Sequence, residues 1–447
     1  MRTNSLNFGH RPETIRFWRR QVARALRTTP APFYLFSAAP ILHALRELTA
    51  ACRASPLPVR HWLSCKTQPL APLLRWWRRR DGSIEVVSEF ELLAARREKF
   101  PPARIMINGP AKHHWLPRHA EPGFTVNFDS EAELAALWPL AVRYGWRLGL
   151  RLLTRAEEDA EHPGRATQFG FEPAAALRAL QWLQRRNGGI EVLHFHLRSN
   201  VAETSVYEAA VAEAAELCRR AGVQPAFLDL GGGWPPPHTV SRRGEKFAGR
   251  FHRRGIARLL RGVASQFPGL REIWLENGRF VSARGGVLVV KVLEEKRRRG
   301  WRQLICNGGR TLHAMVSLWE EHALLPLERR RGRAIQTAVH GPTCMAFDQL
   351  ACRRLPADIG PGDHLIWFDA GAYHVPWETA FSHGRAAILW HEAGPLELVR
   401  APQTFEDWWA GLGASPPGFS SARAQGMAGA VGRAKSKGCA GARSNAT

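Results

Sequence analysis

The sequence is short of acid. Among 447 residues, Asp and Glu number 39 against 63 Lys and Arg, a formal charge of +24. Such a surplus permits attraction to acidic proteins, membrane surfaces or nucleic acid. The arginines are dispersed along the chain, so charge alone defines no binding face, and no nucleic-acid-binding motif accompanies it. The seven cysteines, Cys52, Cys65, Cys218, Cys306, Cys344, Cys352 and Cys439, are odd in number, irregular in spacing and form no CxxC. That argues against a disulfide framework or a structural zinc site. No long apolar run is present, and Arg16, Arg19 and Arg20 interrupt the N-terminal stretch. We therefore expect no secretory signal, no membrane span and a cytoplasmic protein of a reducing compartment. Neither GxGxxG nor GxxxxGK[ST] occurs, which removes a dinucleotide or P-loop site, and no short repeat suggests a solenoid.

What is there is core-forming material: 45% hydrophobic residues, with 17 Trp and 21 Phe, enough to exclude wholesale disorder. Between residues 60 and 276, short apolar runs recur, at His61–Cys65, Ile84–Val87, Arg104–Ile107, Phe124–Asn127, Leu148–Leu153, Val192–Leu197, Ala226–Leu230 and Glu272–Leu275. Stretches of helical spacing, such as Glu89–Arg97, Glu131–Tyr144, Pro173–Arg185 and Tyr207–Arg220, lie between them. Eight alternating β and α units predict an α/β fold, a closed (β/α)8 TIM barrel. After Glu276 the pattern turns to strands at Val287–Leu293, Gln303–Cys306, Ala334–His340, His364–Phe368 and Ala386–Trp390. We expect four parts: an N-terminal segment 1–44 whose Phe33–Phe36 strand partly joins a β domain, a barrel 45–276, a C-terminal β domain 277–400, and a disordered basic tail 415–447.

A barrel gathers reactive groups where its strands end. Strand one ends in Lys66, strand two near Ser88, strand five carries Arg151, strand six ends near His196 with Ser199 beyond, strand seven in Gly231-Gly232-Gly233, and strand eight in Glu276-Asn-Gly-Arg279. A lysine ending a strand is ordinarily solvated. At a barrel mouth it can instead lose its charge by desolvation and attack a carbonyl. Three glycines after a strand form a tight turn or let backbone N–H groups approach an anion. His194 and His196 share a face of strand six, but no third ligand is obvious nearby, so we do not read zinc there. Glu276 either pairs with Arg279 or holds a protonated heterocyclic nitrogen. Together the parts match what pyridoxal 5′-phosphate needs: an amine for its aldehyde, donors for its phosphate, a partner for its ring nitrogen and a flat group against its face.

From about Pro32 to Leu398 the chain resembles the fold-type III pyridoxal-phosphate decarboxylases, the group of diaminopimelate, ornithine and arginine decarboxylases. The matching segments are Cys65-Lys66, Val86-Val-Ser88 with Glu91, His194-Phe-His-Leu-Arg-Ser199, Leu228-Asp-Leu-Gly-Gly-Gly-Trp234, Glu276-Asn-Gly-Arg279, Gly341-Pro-Thr-Cys344 with Asp348, and Asp369-Ala-Gly-Ala-Tyr373. The resemblance implies an alanine-racemase-like barrel with a C-terminal β domain and a pyridoxal-phosphate-dependent decarboxylase of an amino acid. It implies that Lys66 forms the aldimine with the cofactor and His196 stacks on its ring. Ser199, Gly231, Gly232, Gly233, Gly278, Arg279 and Tyr373 would surround the phosphate, and Glu276 would meet the ring nitrogen. Cys344 would serve the neighbouring subunit's site in a head-to-tail homodimer. No metal is implied.

Departures bear on substrate. Arg198 stands for the family's usual Gly, Glu85 for an Asp, and Met345 for the acid after Cys344. Met315 and Trp319 stand where diaminopimelate-type enzymes carry Arg and Tyr, which argues against that substrate. Glu320 either replaces the ornithine-type acid or is a solvated helix charge. Arg279, Glu320 and Met345 are the substrate-contact candidates. An apolar Met345 suits a substrate without a free distal cation, such as an amino acid on an acidic carrier protein. A racemase or epimerase on the same scaffold, or a non-catalytic homologue, are the alternatives.

Overall fold

The structure is a computed structural model and describes residues 8–157, 164–241, 244–248, 252–314 and 319–413. Met315, Cys439 and the expected tail 415–447 lie outside the described residues. Residues up to Pro402 make one compact unit. Beyond it, a short helix, Phe405–Ala410, begins in a capping box in which the Thr404 side chain and Asp407 satisfy each other's backbone. No helix among the described residues is long and apolar enough to cross a membrane.

Eight parallel strands close into a barrel: β1 Val59–Ser64, β2 Ser83–Val86, β3 Ile105–Ile107, β4 Thr125–Phe128, β5 Arg147–Arg151, β6 Val192–His194, β7 Phe227–Asp229 and β8 Glu272–Leu275. Strand β8 pairs with β1 through Ile273 and Val59, which completes the ring. The crossover helices begin and end where the sequence provides caps. Ser88 and Ser130 accept hydrogen bonds from the amides of Glu91 and Glu133. The helices Glu131–Tyr144 and Thr204–Ala221 stop at Gly145 and Gly222, both left-handed. Several strands are shorter than the apolar runs predicted them to be. Val192–Leu197 ends as a strand at His194, and Ala226–Leu230 at Asp229. The residues just beyond leave the ladder and turn across the barrel mouth, so apolar character outlasts strand pairing there.

A second, nine-stranded sheet lies alongside. Its central strand, Phe33–Ser37, pairs antiparallel with Gly286–Arg298 and parallel with Ala387–His391. Alternation divides its side chains between two cores. Tyr34 and Phe36 join the cluster packed between the barrel strands and their helices, whereas Phe33 and Leu35 pack with Trp18 and Val22 of the helix Pro12–Ala25. Three strands here were not anticipated: Leu324–Pro326, Gln349–Pro356 and Glu397–Arg400. Gln349–Pro356 contains Arg353 and Arg354 and is only partly buried, so it lacks a clean hydrophobic signal.

Candidate active site

Lys66 sits in a single 3-10 turn, Cys65–Thr67, directly after β1. Its Nζ lies 3.1 and 3.2 Å from the two carboxylate oxygens of Glu85, which is fully buried on β2. Desolvation would depress the amine, but Glu85, then Glu276 and Tyr373, outweigh it and raise Lys66 above the ordinary lysine value. The expected loss of charge by desolvation is therefore corrected: in this arrangement Lys66 is an ammonium held by carboxylates.

Glu276, just beyond β8, is the centre of the cluster. Its carboxylate accepts from Asn108 Nδ2 and lies 3.3 Å from His196 Nδ1 and 3.5 Å from His194 Nε2. Burial opposes its charge, but the His196 hydrogen bond and the Lys66 charge hold it well below the usual carboxylate range. The adjacent buried Asp229 is pushed up, by burial first and by the Glu276 charge next. In this pair Asp229 keeps the proton and Glu276 the charge. Glu276 does not pair with Arg279, and it supplies the third metal-type ligand that the sequence did not show beside His194 and His196. With both oxygens already facing protein donors, it acts as an acceptor at the mouth.

His194 is sealed in the barrel and His196 is half-buried above it. Burial lowers His194 to about 3, so it is neutral. Nδ1 of His196 faces both Glu276 and the Gly232 amide, 3.1 Å away. Protonated, it donates to Glu276; unprotonated, it accepts from Gly232. The glycines make these approaches possible. A Cβ on Gly232 would lie 2.4 Å from the Glu276 carbonyl oxygen, and one on Gly231, at φ +65°, 2.6 Å from that of Phe195. The Gly231 amide donates to Asp229. Both Gly231 and Gly232 amides thus have partners within the protein.

Arg279 forms an ion pair with Glu320 and lies 4.5 Å over the Tyr373 ring. Gly278 opens this turn, where a Cβ would meet Thr67 at 2.5 Å. The Tyr373 amide donates to the Thr67 carbonyl, tying this corner to the Lys66 turn. Glu320 is buried on the two-residue strand Glu320–Glu321, and Asn200 also donates to it. The alternative of a solvated helix charge is corrected: Arg279, His322 and Asn200 overcome burial and lower its carboxyl to about 2. Ser199 is exposed on the turn after His196. Cys344 is exposed, and neither it nor the half-buried Met345 is among the described partners of the Lys66 cluster. Sequence reading passed over Asn108 and Asn127. Asn108 follows strand three and Asn127 is the penultimate residue of strand four, whose ends the ring of candidates skipped. Asn127 Nδ2 donates to Asn108 Oδ1 at 2.8 Å, which turns the Asn108 amide toward both Glu85 and Glu276.

Residues 45–283 match the family model described as "Pyridoxal-dependent decarboxylase, pyridoxal binding domain". A diaminopimelate decarboxylase of Actinosynnema pretiosum is 31% identical over 367 residues, 76% of this chain and 80% of that protein. One from Deinococcus radiodurans is 28% identical over 386 residues, 85% and 95% respectively. Among solved structures, Helicobacter pylori diaminopimelate decarboxylase complexed with L-lysine superposes with a TM-score of 0.74 at 21% identity, covering 88% of this chain and 99% of that one. The likeness to that structure is one of fold. The racemase and non-catalytic alternatives find no support among these relatives. With a closed barrel, an amine at the end of its first strand, and a matching family model over half its length, the chain belongs to the fold-type III pyridoxal-phosphate-dependent decarboxylases and is a carboxy-lyase acting on an amino acid.

Proposed function

We propose that Lys66 Nζ is the covalent attachment point of pyridoxal 5′-phosphate and that the substrate is an α-amino acid with no free cation at its far end. The observation that carries the first half is the convergence of Lys66, Glu276 and His196 at one end of the barrel. The donor set fits the cofactor. Glu276 is a buried carboxylate kept ionised by its neighbours, as a partner for a protonated ring nitrogen must be. The glycine turn packs where a Cβ would not fit, and Arg279 offers a cation beside Tyr373.

Bound cofactor supplies a conjugated ring that takes up the electron pair left when carbon dioxide departs. The chain does the rest. Glu276, oriented by the Asn108 amide, would hold a proton on the ring nitrogen. His196 would supply the flat group against the ring. Arg279 and Tyr373 would hold the anionic end. Glu85 would hold the Lys66 ammonium in place through its two carboxylate oxygens.

The second half rests on charge. Glu320 is already paired with Arg279 and is not free to hold a distal ammonium, and Met345 is apolar. Trp319 is exposed and cannot replace the expected tyrosine's hydroxyl. A carrier-bound form of such a substrate rests on the net charge alone. Carbon dioxide release from a panel of free and carrier-bound amino acids, including meso-diaminopimelate, ornithine, lysine and arginine, decides this. Fastest turnover of an acid without a distal ammonium supports the proposal; fastest turnover of any of those four overturns it.

We also propose a head-to-tail homodimer. Cys344 is exposed, which supports a role in the site of a second copy. Mixing the inactive Lys66→Ala and Cys344→Ala chains should restore activity to about a quarter of wild type, the statistical share of one intact site in hybrid dimers. No restoration on exchange of subunits contradicts the shared site.

A further inference from the structure

Three histidines outside the reaction centre meet in the core of the β domain. His313 ends the short helix Arg310–His313, His322 follows the strand Glu320–Glu321, and His374 follows Tyr373. All three are at most 2% exposed. Their ring centroids lie 4.7 to 5.3 Å apart, and one nitrogen from each falls within 4.8 Å of the others.

The hydrogen bonds at the outside of the cluster fix what faces its inside. His322 Nε2 lies 3.1 Å from a Glu320 carboxylate oxygen, and His374 Nδ1 lies 3.0 Å from the Ala372 carbonyl. A carboxylate and a carbonyl only accept, so each of those ring nitrogens carries the proton. The opposite nitrogens, His322 Nδ1 and His374 Nε2, then present lone pairs. Both are buried without a hydrogen-bond partner, and neither nitrogen of His313 has one on another residue. Unpartnered buried acceptors are costly.

A metal-ligating histidine shows this pattern, one nitrogen donating to a carboxylate or carbonyl behind it and the other facing the ion. We propose that His313, His322 and His374 bind one divalent first-row transition-metal ion, with zinc as the ion of test. Three neutral imidazoles suit zinc, iron, nickel or copper. Bonds of about 2.0–2.1 Å in tetrahedral geometry space the ligand atoms about 3.4 Å apart, so the rings close by no more than about 1.4 Å. Glu320, 3.1 Å behind His322, supplies nearby negative charge. The ion would pin together three separate segments, two of which also carry Glu320 and Tyr373 of the Arg279 corner.

Untagged full-length holoenzyme, expressed with zinc in the medium and washed with EDTA, is the material for the test. Elemental analysis should find about one first-row metal ion per chain, falling at least about tenfold in His374→Gln and His322→Gln and unchanged in His194→Gln. Should the variants fail to fold, X-ray absorption on the wild-type protein decides, with about three imidazole nitrogens at about 2.0–2.1 Å expected. Metal-free protein as isolated, loss of metal in His194→Gln instead, or sulfur ligation overturns the proposal.

Discussion

Two buried histidine clusters lie in this molecule, and they differ in where the carboxylate sits. At the barrel mouth, Glu276 stands between His194 and His196 and faces a nitrogen of each. In the β domain, Glu320 stands behind His322, takes its N–H, and turns the lone pair inward. On the two proposals, the first arrangement is an anion suited to a cationic ring and the second a set of acceptors suited to an ion. Similar residue types would then serve opposite ligands, with hydrogen-bond direction deciding which.

The sharpest way to break the comparison is to neutralise each carboxylate. Glu276→Gln keeps the shape but cannot hold a proton on the ring nitrogen, so kcat should fall by about 100-fold or more. Steady-state carbon dioxide release checks this. Near-normal kcat would mean that Glu276 does not face the ring nitrogen. Glu320→Gln strands the Arg279 guanidinium, which is only 9% exposed, and should lower stability by about 3 kcal/mol. A denaturant midpoint close to that of wild type would show that the pair contributes little.

A smaller effect separates Glu276 from a third carboxyl near the mouth. Glu91, which accepts from the Val87 amide, is pushed up to about 7, by burial first and by Glu85 next. The folded protein therefore holds a proton that the unfolded chain releases near 4.5. This group's contribution to stability falls as pH rises from about 4.5 through about 7. Glu91→Gln should lose that fall and gain on wild type, by on the order of 2 kcal/mol, between pH 5 and 8. A gap between the two proteins that does not change with pH contradicts this.

The barrel was legible because apolar runs alternate with capped helices, and the strand-end rule then led to Lys66, His196 and Glu276. It did not lead to Asn108 and Asn127, because a lone amide after a strand carries no signal until its neighbours are known. The β domain was harder. Its strand Gln349–Pro356 mixes arginines with buried residues, and its histidines at 313, 322 and 374 have no regular spacing. Only tertiary folding brings them together. The charge state of Lys66 escaped the sequence for the same reason: burial was foreseeable, but the distance to Glu85 was not.

The proposed chemistry stands on a single amine carrying the cofactor. Borohydride reduction of the holoenzyme, followed by proteolysis and mass mapping, reads that amine out. A phosphopyridoxyl group on Lys66 is the expected result. An adduct on another lysine, such as Lys112, whose ammonium is sealed against Glu133 at 2.5 Å, or no adduct at all, would refute it.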